Sequence, residues 1–175
     1  MFAKDEEGRV LCAGLYRGVQ PLLAAVENLN FGAVKGWTVA DWRQMGGALA
    51  CCPKLKKLML TDMGADDAAM ASFFGALGSG AAPALERLSL SDNQIGNEGM
   101  RHLADALSRG AAPALEMLDL DFNKIGDEGM RHLADALANG AAPALEKLYF
   151  NDIPASDAAQ QAVQDALEQR SETPE

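Results

Sequence analysis

The chain is short of cysteine, of aromatic residues, of basic charge and of long apolar runs, and each shortage removes a class of protein. Three cysteines among 175 residues, two of them adjacent at Cys51 and Cys52, cannot build a disulfide framework and match no zinc-ligand spacing, so reduced thiols are expected. Fifteen Lys plus Arg against 25 Asp plus Glu leave a net charge of −10, which opposes capture of nucleic acid or of an anionic membrane and favours a basic partner. No apolar stretch is long enough to span a bilayer, and the opening MFAKDEEGRV lacks the basic start and apolar stretch of a secretory signal. A soluble, cytoplasmic protein is the expectation. No GxxxxGKS/T loop, HExxH helix or GxSxG elbow occurs, so neither a phosphate cradle nor a catalytic metal or serine is signalled. With 49% hydrophobic and 23% charged residues, the chain has the composition of a globular protein and the length of one domain.

What the sequence does contain is a repeat. ALERLSLSDNQIGNEGMRHLADALSRGAAP (84–113) is followed directly by ALEMLDLDFNKIGDEGMRHLADALANGAAP (114–143), identical at 22 of 30 positions. The same frame fits 54–83 and 144–167, and a divergent unit fits 26–53. Within a unit the apolar period switches. Leu88 and Leu90 alternate with Arg87 and Ser89, as in a half-buried strand. Met100, Leu103, Ala104 and Leu107 then fall at i, i+3, i+4 and i+7, as along a buried helical stripe. Asp67, Asn97, Asp127 and Asp157 stand before the helical runs as expected N-caps. Gly80, Gly110 and Gly140 are the expected left-handed C-terminal residues, each closed off by a proline at 83, 113 and 143. One strand and one helix cannot bury an apolar side alone, so the units must stack. Strands pair about 4.8 Å apart while helices pack roughly 8–10 Å apart, which bends the stack and puts the strands on the concave side.

The pattern LxxLxLxxNxI, at Leu85-Leu88-Leu90-Asn93-Ile95 and again at Leu115-Leu118-Leu120-Asn123-Ile125, resembles the leucine-rich repeat family. The helix and the repeat length are similar to the ribonuclease-inhibitor-like subclass, shared by NOD-like receptors and Ran GTPase-activating proteins. The resemblance implies an α/β right-handed solenoid, a horseshoe segment of about five repeats with a parallel concave sheet and convex helices. It also implies that Asn93 and Asn123 satisfy backbone groups where the strand turns away. Val34, Met63 and Ile153 replace that asparagine in three units, where a looser turn is expected. The expected organisation is an N-terminal cap over 1–25, a repeat domain over 26–167 (repeats 26–54, 55–84, 85–114, 115–144 and 145–167), and a disordered tail over 168–175.

Functional candidates lie on the strand face. Counting from each unit's first leucine, positions 3, 5 and 7 point away from the core and position 8 flanks them. Only eight of 30 positions distinguish the two similar units, yet all four of these differ: Arg87 and Met117, Ser89 and Asp119, Ser91 and Asp121, Asp92 and Phe122. Position 3 is mostly basic, with Lys57, Arg87 and Lys147, and position 8 mostly acidic, with Asp62, Asp92 and Asp152. Met59 and Tyr149 also occupy position 5. Met117, Phe122 and Tyr149 are expected to form an apolar spot inside a charged rim, the anatomy of a protein contact. The competing reading is that the opposite charges pair across the sheet and keep the face soluble. His102 and His132 are expected on solvent-facing helix surfaces, too far apart to share a metal, and Cys51 and Cys52 as small fillers in place of Ala81 and Ala82.

The expectation is therefore a non-enzymatic module, needing no cofactor, that binds a protein or peptide with basic and apolar surface on its concave strand face. Two alternatives stay open: a structural subunit docking through convex helices or end caps, and a GTPase-activating regulator, which the resemblance alone implies.

Overall fold

The computed structural model describes residues 24–171, so the expected N-terminal cap lies outside the described residues except at its last two positions. Five three-residue strands, β1 (Asn28–Asn30), β2 (Lys57–Met59), β3 (Arg87–Ser89), β4 (Met117–Asp119) and β5 (Lys147–Tyr149), form one parallel sheet in chain order. Between them run α1 (Val39–Ala48), α2 (Asp67–Ala76), α3 (Asn97–Ser108) and α4 (Asp127–Ala138), and α5 (Asp157–Ser171) follows β5. A short 3-10 turn, Leu49–Cys51, extends α1. Each helix packs on its neighbours in sequence and each strand on its neighbours, the arrangement of an α/β solenoid of about five repeats.

The register repeats the sequence period. Lys57 pairs with Arg87, Arg87 with Met117 and Met117 with Lys147, steps of 30 residues, while Asn28 pairs with Lys57, a step of 29. Between the layers lies a continuous apolar core. Leu58, Leu60, Leu90, Leu118 and Leu120 have no measurable exposure, and the helix stripe of Met100, Leu103 and Leu107 meets them from the other side. Truncating such a leucine to alanine costs about 2–5 kcal/mol, because it loses transfer energy and leaves a cavity.

The asparagine ladder ties each unit to the one before. Asn93, 6% exposed, donates through Nδ2 to the carbonyls of Leu60, Leu90 and Ser91, and its Oδ1 accepts from the N–H groups of Met63 and Ala65. Asn123 bonds Leu90, Leu120, Asp121 and Ile95 in the same way. Thus the unit that carries Met63 in place of asparagine is closed by its neighbour's asparagine. Contrary to the looser turn expected at Val34, Met63 and Ile153, the backbone turns alike in all five units. Ala33, Asp62, Asp92, Phe122 and Asp152 all take φ between 53° and 61°.

The helix starts differ from the expected caps by one position. Asp66 caps α2 and Ser156 bonds the first turn of α5, while Gly96 and Gly126 stand before α3 and α4. Asp67, Asn97 and Asp127 instead reach across to the following helix. Asp67 Oδ1 accepts from the N–H groups of Gly96 and Gly99 at 2.6 and 3.0 Å, and Asn97 Oδ1 from those of Gly126 and Gly129 at 2.8 and 3.1 Å. Asp127 does the same for Ser156. Orphan helix N–H groups are thereby satisfied in trans. A side chain at Gly99 would put its Cβ 2.7 Å from Asp67 Oδ1 and 2.8 Å from Ile95 Cγ2, so only glycine fits there.

At the other helix ends Gly110 and Gly140 take φ 73° and 84° and close Schellman motifs: Gly110 donates to Leu107 and Ala111 to Ala106, with Gly140 to Leu137 and Ala141 to Ala136 alongside. Gly80 also takes positive φ, but α2 has already stopped at Ala76 and Gly80 donates to the Gly110 carbonyl of the next unit. The glycines at 75 and 78 make the last turn of α2 too costly to hold. The tail expected from 168 onward is helical as far as Ser171.

The first two units pack by aromatic rings. Phe31, Trp37, Trp42, Phe73 and Phe74 form an unbroken edge-to-face chain with centroids 4.9–6.0 Å apart. Cys52 is buried, its Sγ donating to the Ala48 carbonyl, and Cys51 is half-buried. Burial, and then Cys51, push the Cys52 thiol up, so it stays protonated and serves as the apolar filler expected.

Candidate functional site: the inner strand face

Parallel pairing lines the outward-pointing residues into rows across the strands. Position 3 forms the row Asn28, Lys57, Arg87, Met117, Lys147, and position 5 the row Asn30, Met59, Ser89, Asp119, Tyr149. Beyond the assigned strands the ladder continues to position 8. The N–H groups of Ala33, Asp62, Asp92 and Phe122 donate to the carbonyls of Thr61, Ser91, Asp121 and Asn151, at 2.9–3.1 Å. This bond recurs at all four junctions and aligns the fourth row.

The middle of the face is a closed polar belt. Thr61 Oγ1 lies 3.1 Å from Ser89 Oγ and 3.4 Å from Ser91 Oγ. Ser89 donates to Asp119 Oδ2 at 2.8 Å, and Asp119 Oδ1 accepts from the Asp121 N–H. Asp121 in turn receives the Asn151 N–H at 2.6 Å and both its side-chain bonds. These side chains spend their hydrogen bonds on one another, which stiffens the belt and leaves the carboxylate charges in place.

On both sides of the belt the groups are free. Among the described residues, Lys57, Arg87 and Lys147 make no ion pair, and of the position-8 acids only Asp62 has a cation, Lys35 from the first unit's loop. The remaining ion pairs, Lys56 with Glu86, Arg101 with Glu98 and Asp105, and Arg131 with Glu128, lie off the rails. The expected alternative, neutralisation of one rail by the other, does not occur. The geometry explains why: positions 3 and 8 stand about 16 Å apart along a strand.

The apolar candidates occupy both rails and the belt. Phe122 is 52% exposed, Met59 42% and Tyr149 40%, and Met117 is half-buried. Met117 and Phe122 belong to one repeat, where they interrupt the basic and the acidic rows together, and Tyr149 pairs with Asp119 in the adjacent strand. Phe122 alone among the position-8 residues is large and apolar, held at φ 55°. For a residue with a Cβ this backbone costs about 1–2 kcal/mol, and aspartate offsets part of it by local hydrogen bonding. The acidic row therefore has a backbone reason that sequence periodicity did not reveal, and Phe122 stands against it.

His102 and His132 are half-buried on α3 and α4, and His102 Nε2 lies 3.3 Å from the Arg101 guanidinium. Among the described residues no His, Cys, Asp and Glu side chains gather into a metal-binding group, and no helix is long and apolar enough to cross a membrane. A cavity lies between the layers, lined by Leu58, Phe73, Leu88, Leu103, Leu107, Leu115 and further apolar side chains, with no titratable group in its wall.

A family model described as Leucine Rich repeat matches residues 82–104 and 113–134, the two most regular units. The chain carries leucine-rich repeats there. Its repeats extend beyond the matched residues in both directions, since the strand register and the positive-φ turn recur in all five units. The fold is similar to that of the actin-binding site 2 structure of leiomodin-1, with a TM-score of 0.69 at 18% identity over 97% of this chain and 91% of that one. It is also similar to the C-terminal domain of tropomodulin from Caenorhabditis elegans, with a TM-score of 0.66 at 16% identity over 89% of this chain and 93% of that one. No curated protein matches this leucine-rich repeat chain.

Proposed function

We propose that this leucine-rich repeat chain is a non-enzymatic recognition module that takes a protein or an extended peptide on its inner strand face. The observation that carries the reading is Phe122: an aromatic ring 52% exposed, kept at a backbone angle that disfavours it, where the same position elsewhere holds Asp or Ala. A costly residue at an exposed site is explained by what it touches when the site is filled. Met117, about 16 Å away along the same repeat, and Tyr149 on the adjacent strand offer further apolar contacts. Lys57, Arg87, Lys147, Asp92 and Asp152 supply a charged rim, and Met59, Asp62, Ser89, Asp119 and Asp121 complete the face. The leiomodin domain is named for an actin-binding site, which supports protein recognition as a use of this fold; at 18% identity it does not carry actin over as the partner.

The test is affinity purification with the full chain as bait, followed by the variants Phe122→Asp and Tyr149→Ala. Both are expected to lose capture of the proteins retained by the unaltered chain, with Phe122→Asp melting no lower. Undiminished capture by both variants would remove the site from this face.

A further inference from the structure

The two rails and the break in them describe what the face is shaped to hold. In β3 and its turn the rails carry Arg87 and Asp92; in the next repeat both become apolar, Met117 and Phe122; in the last they return to charge as Lys147 and Asp152. None of these charged groups has an ion-pair partner among the described residues. Cations stand at the strand starts and carboxylates at the strand ends, with an apolar step across both in the fourth repeat.

Because the rows run across the strands, a complementary segment must cross the strands as well. It cannot add as another strand here, since the backbone groups of β3 and β4 are already used by their neighbours. Recognition falls to side chains. An extended segment sends successive side chains to opposite edges, and those on one edge recur every ~6.7 Å. Arg87 and Lys147 are two strand spacings apart, about 9.6 Å, a difference that flexible Arg and Lys stems absorb.

Resting on the reading that this face binds a partner, we infer that the occupant is an extended peptide segment lying across β3 to β5, in which acidic and basic residues alternate around an apolar residue. Its carboxylates face Arg87 and Lys147 from one edge, and on its other edge the apolar residue lies against Phe122 with a cation on either side, facing Asp92 and Asp152. The cation beside the Phe122 ring gains from the ring face as well as from the carboxylates. A segment of one charge sign meets a like-charged rail on one side, which is what makes the face selective.

Short random peptides displayed on phage and selected on the full chain test this. The enriched sequences are expected to alternate acidic and basic residues about one apolar position. Synthetic peptides of those sequences are expected to bind about tenfold or more weakly to the Arg87→Glu/Lys147→Glu variant and unchanged to Arg131→Glu on the helix face. Enriched sequences of a single charge sign, sequences without charge, or no enrichment at all would overturn the alternating occupant. The broader reading fails separately, if enriched peptides bind Phe122→Asp and Tyr149→Ala as tightly as the unaltered chain.

Discussion

The third and fourth repeats and the first two reach the same backbone path by different means. In the later pair, leucines, the buried Asn93 and Asn123 and the trans caps from Asp67 and Asn97 hold every turn. The earlier pair has no asparagine of its own at the turn and packs instead through the ring chain from Phe31 to Phe74. Yet the turn residue takes the same left-handed φ in both, 61° and 53° in the first two units and 56° and 55° in the next. The ladder bond at position 8 accompanies the turn at all four junctions, and Asp152 takes the same φ of 53° at the end of the sheet.

The comparison can be broken hardest in the aromatic half. Phe73→Ala removes a ring packed between Trp42 and Phe74 and is expected to cost about 3–5 kcal/mol. Since repeats touch only their neighbours, hydrogen exchange should speed up in α1 and α2 while α4 stays protected. Equal loss of protection in all helices would show that the halves are not separate in energy.

In the regular half, Asn93→Ala strands several buried backbone groups, and denaturant unfolding should register about 2–4 kcal/mol, felt in the preceding unit as much as in its own. Asp67→Ala deletes one trans cap and should cost about 1 kcal/mol, whereas Asp67→Asn should be nearly silent because Asn97 does the same work one unit later. Phe122→Asp puts the residue of the neighbouring units into the left-handed turn and is expected to gain about 0.5–1 kcal/mol in a thermal melt, the one change here that stabilises while it removes binding. Smallest is Arg131→Ala, which loses an exposed pair with Glu128 and should shift stability by no more than about 0.5 kcal/mol.

Much of this was legible in the sequence because it depends on spacing. The near-identity of the two central units placed Leu88 and Leu118 in the core, and both are buried, at 4% and 0% exposure. The period also aligned Lys57, Arg87 and Lys147 in one row, as the register has them. Other features were hidden because they depend on what another repeat presents. Asp67 stands beside its own helix in the sequence, and only stacking shows that its carboxylate caps the next one. The aromatic chain joins residues of two units that share no spacing rule. Asp92 and Asp152 read as charge alone, while their left-handed backbone supplies a second reason for aspartate.

By itself the amino-acid sequence determined the repeat, the strand and helix in each unit, and which side chains leave the core, since alternation and the helical stripe are local geometry. Tertiary structure alone decided who partners whom: which asparagine closes which turn and which acid caps which helix. Those outcomes follow from the distance between stacked units, a quantity that no single repeat contains.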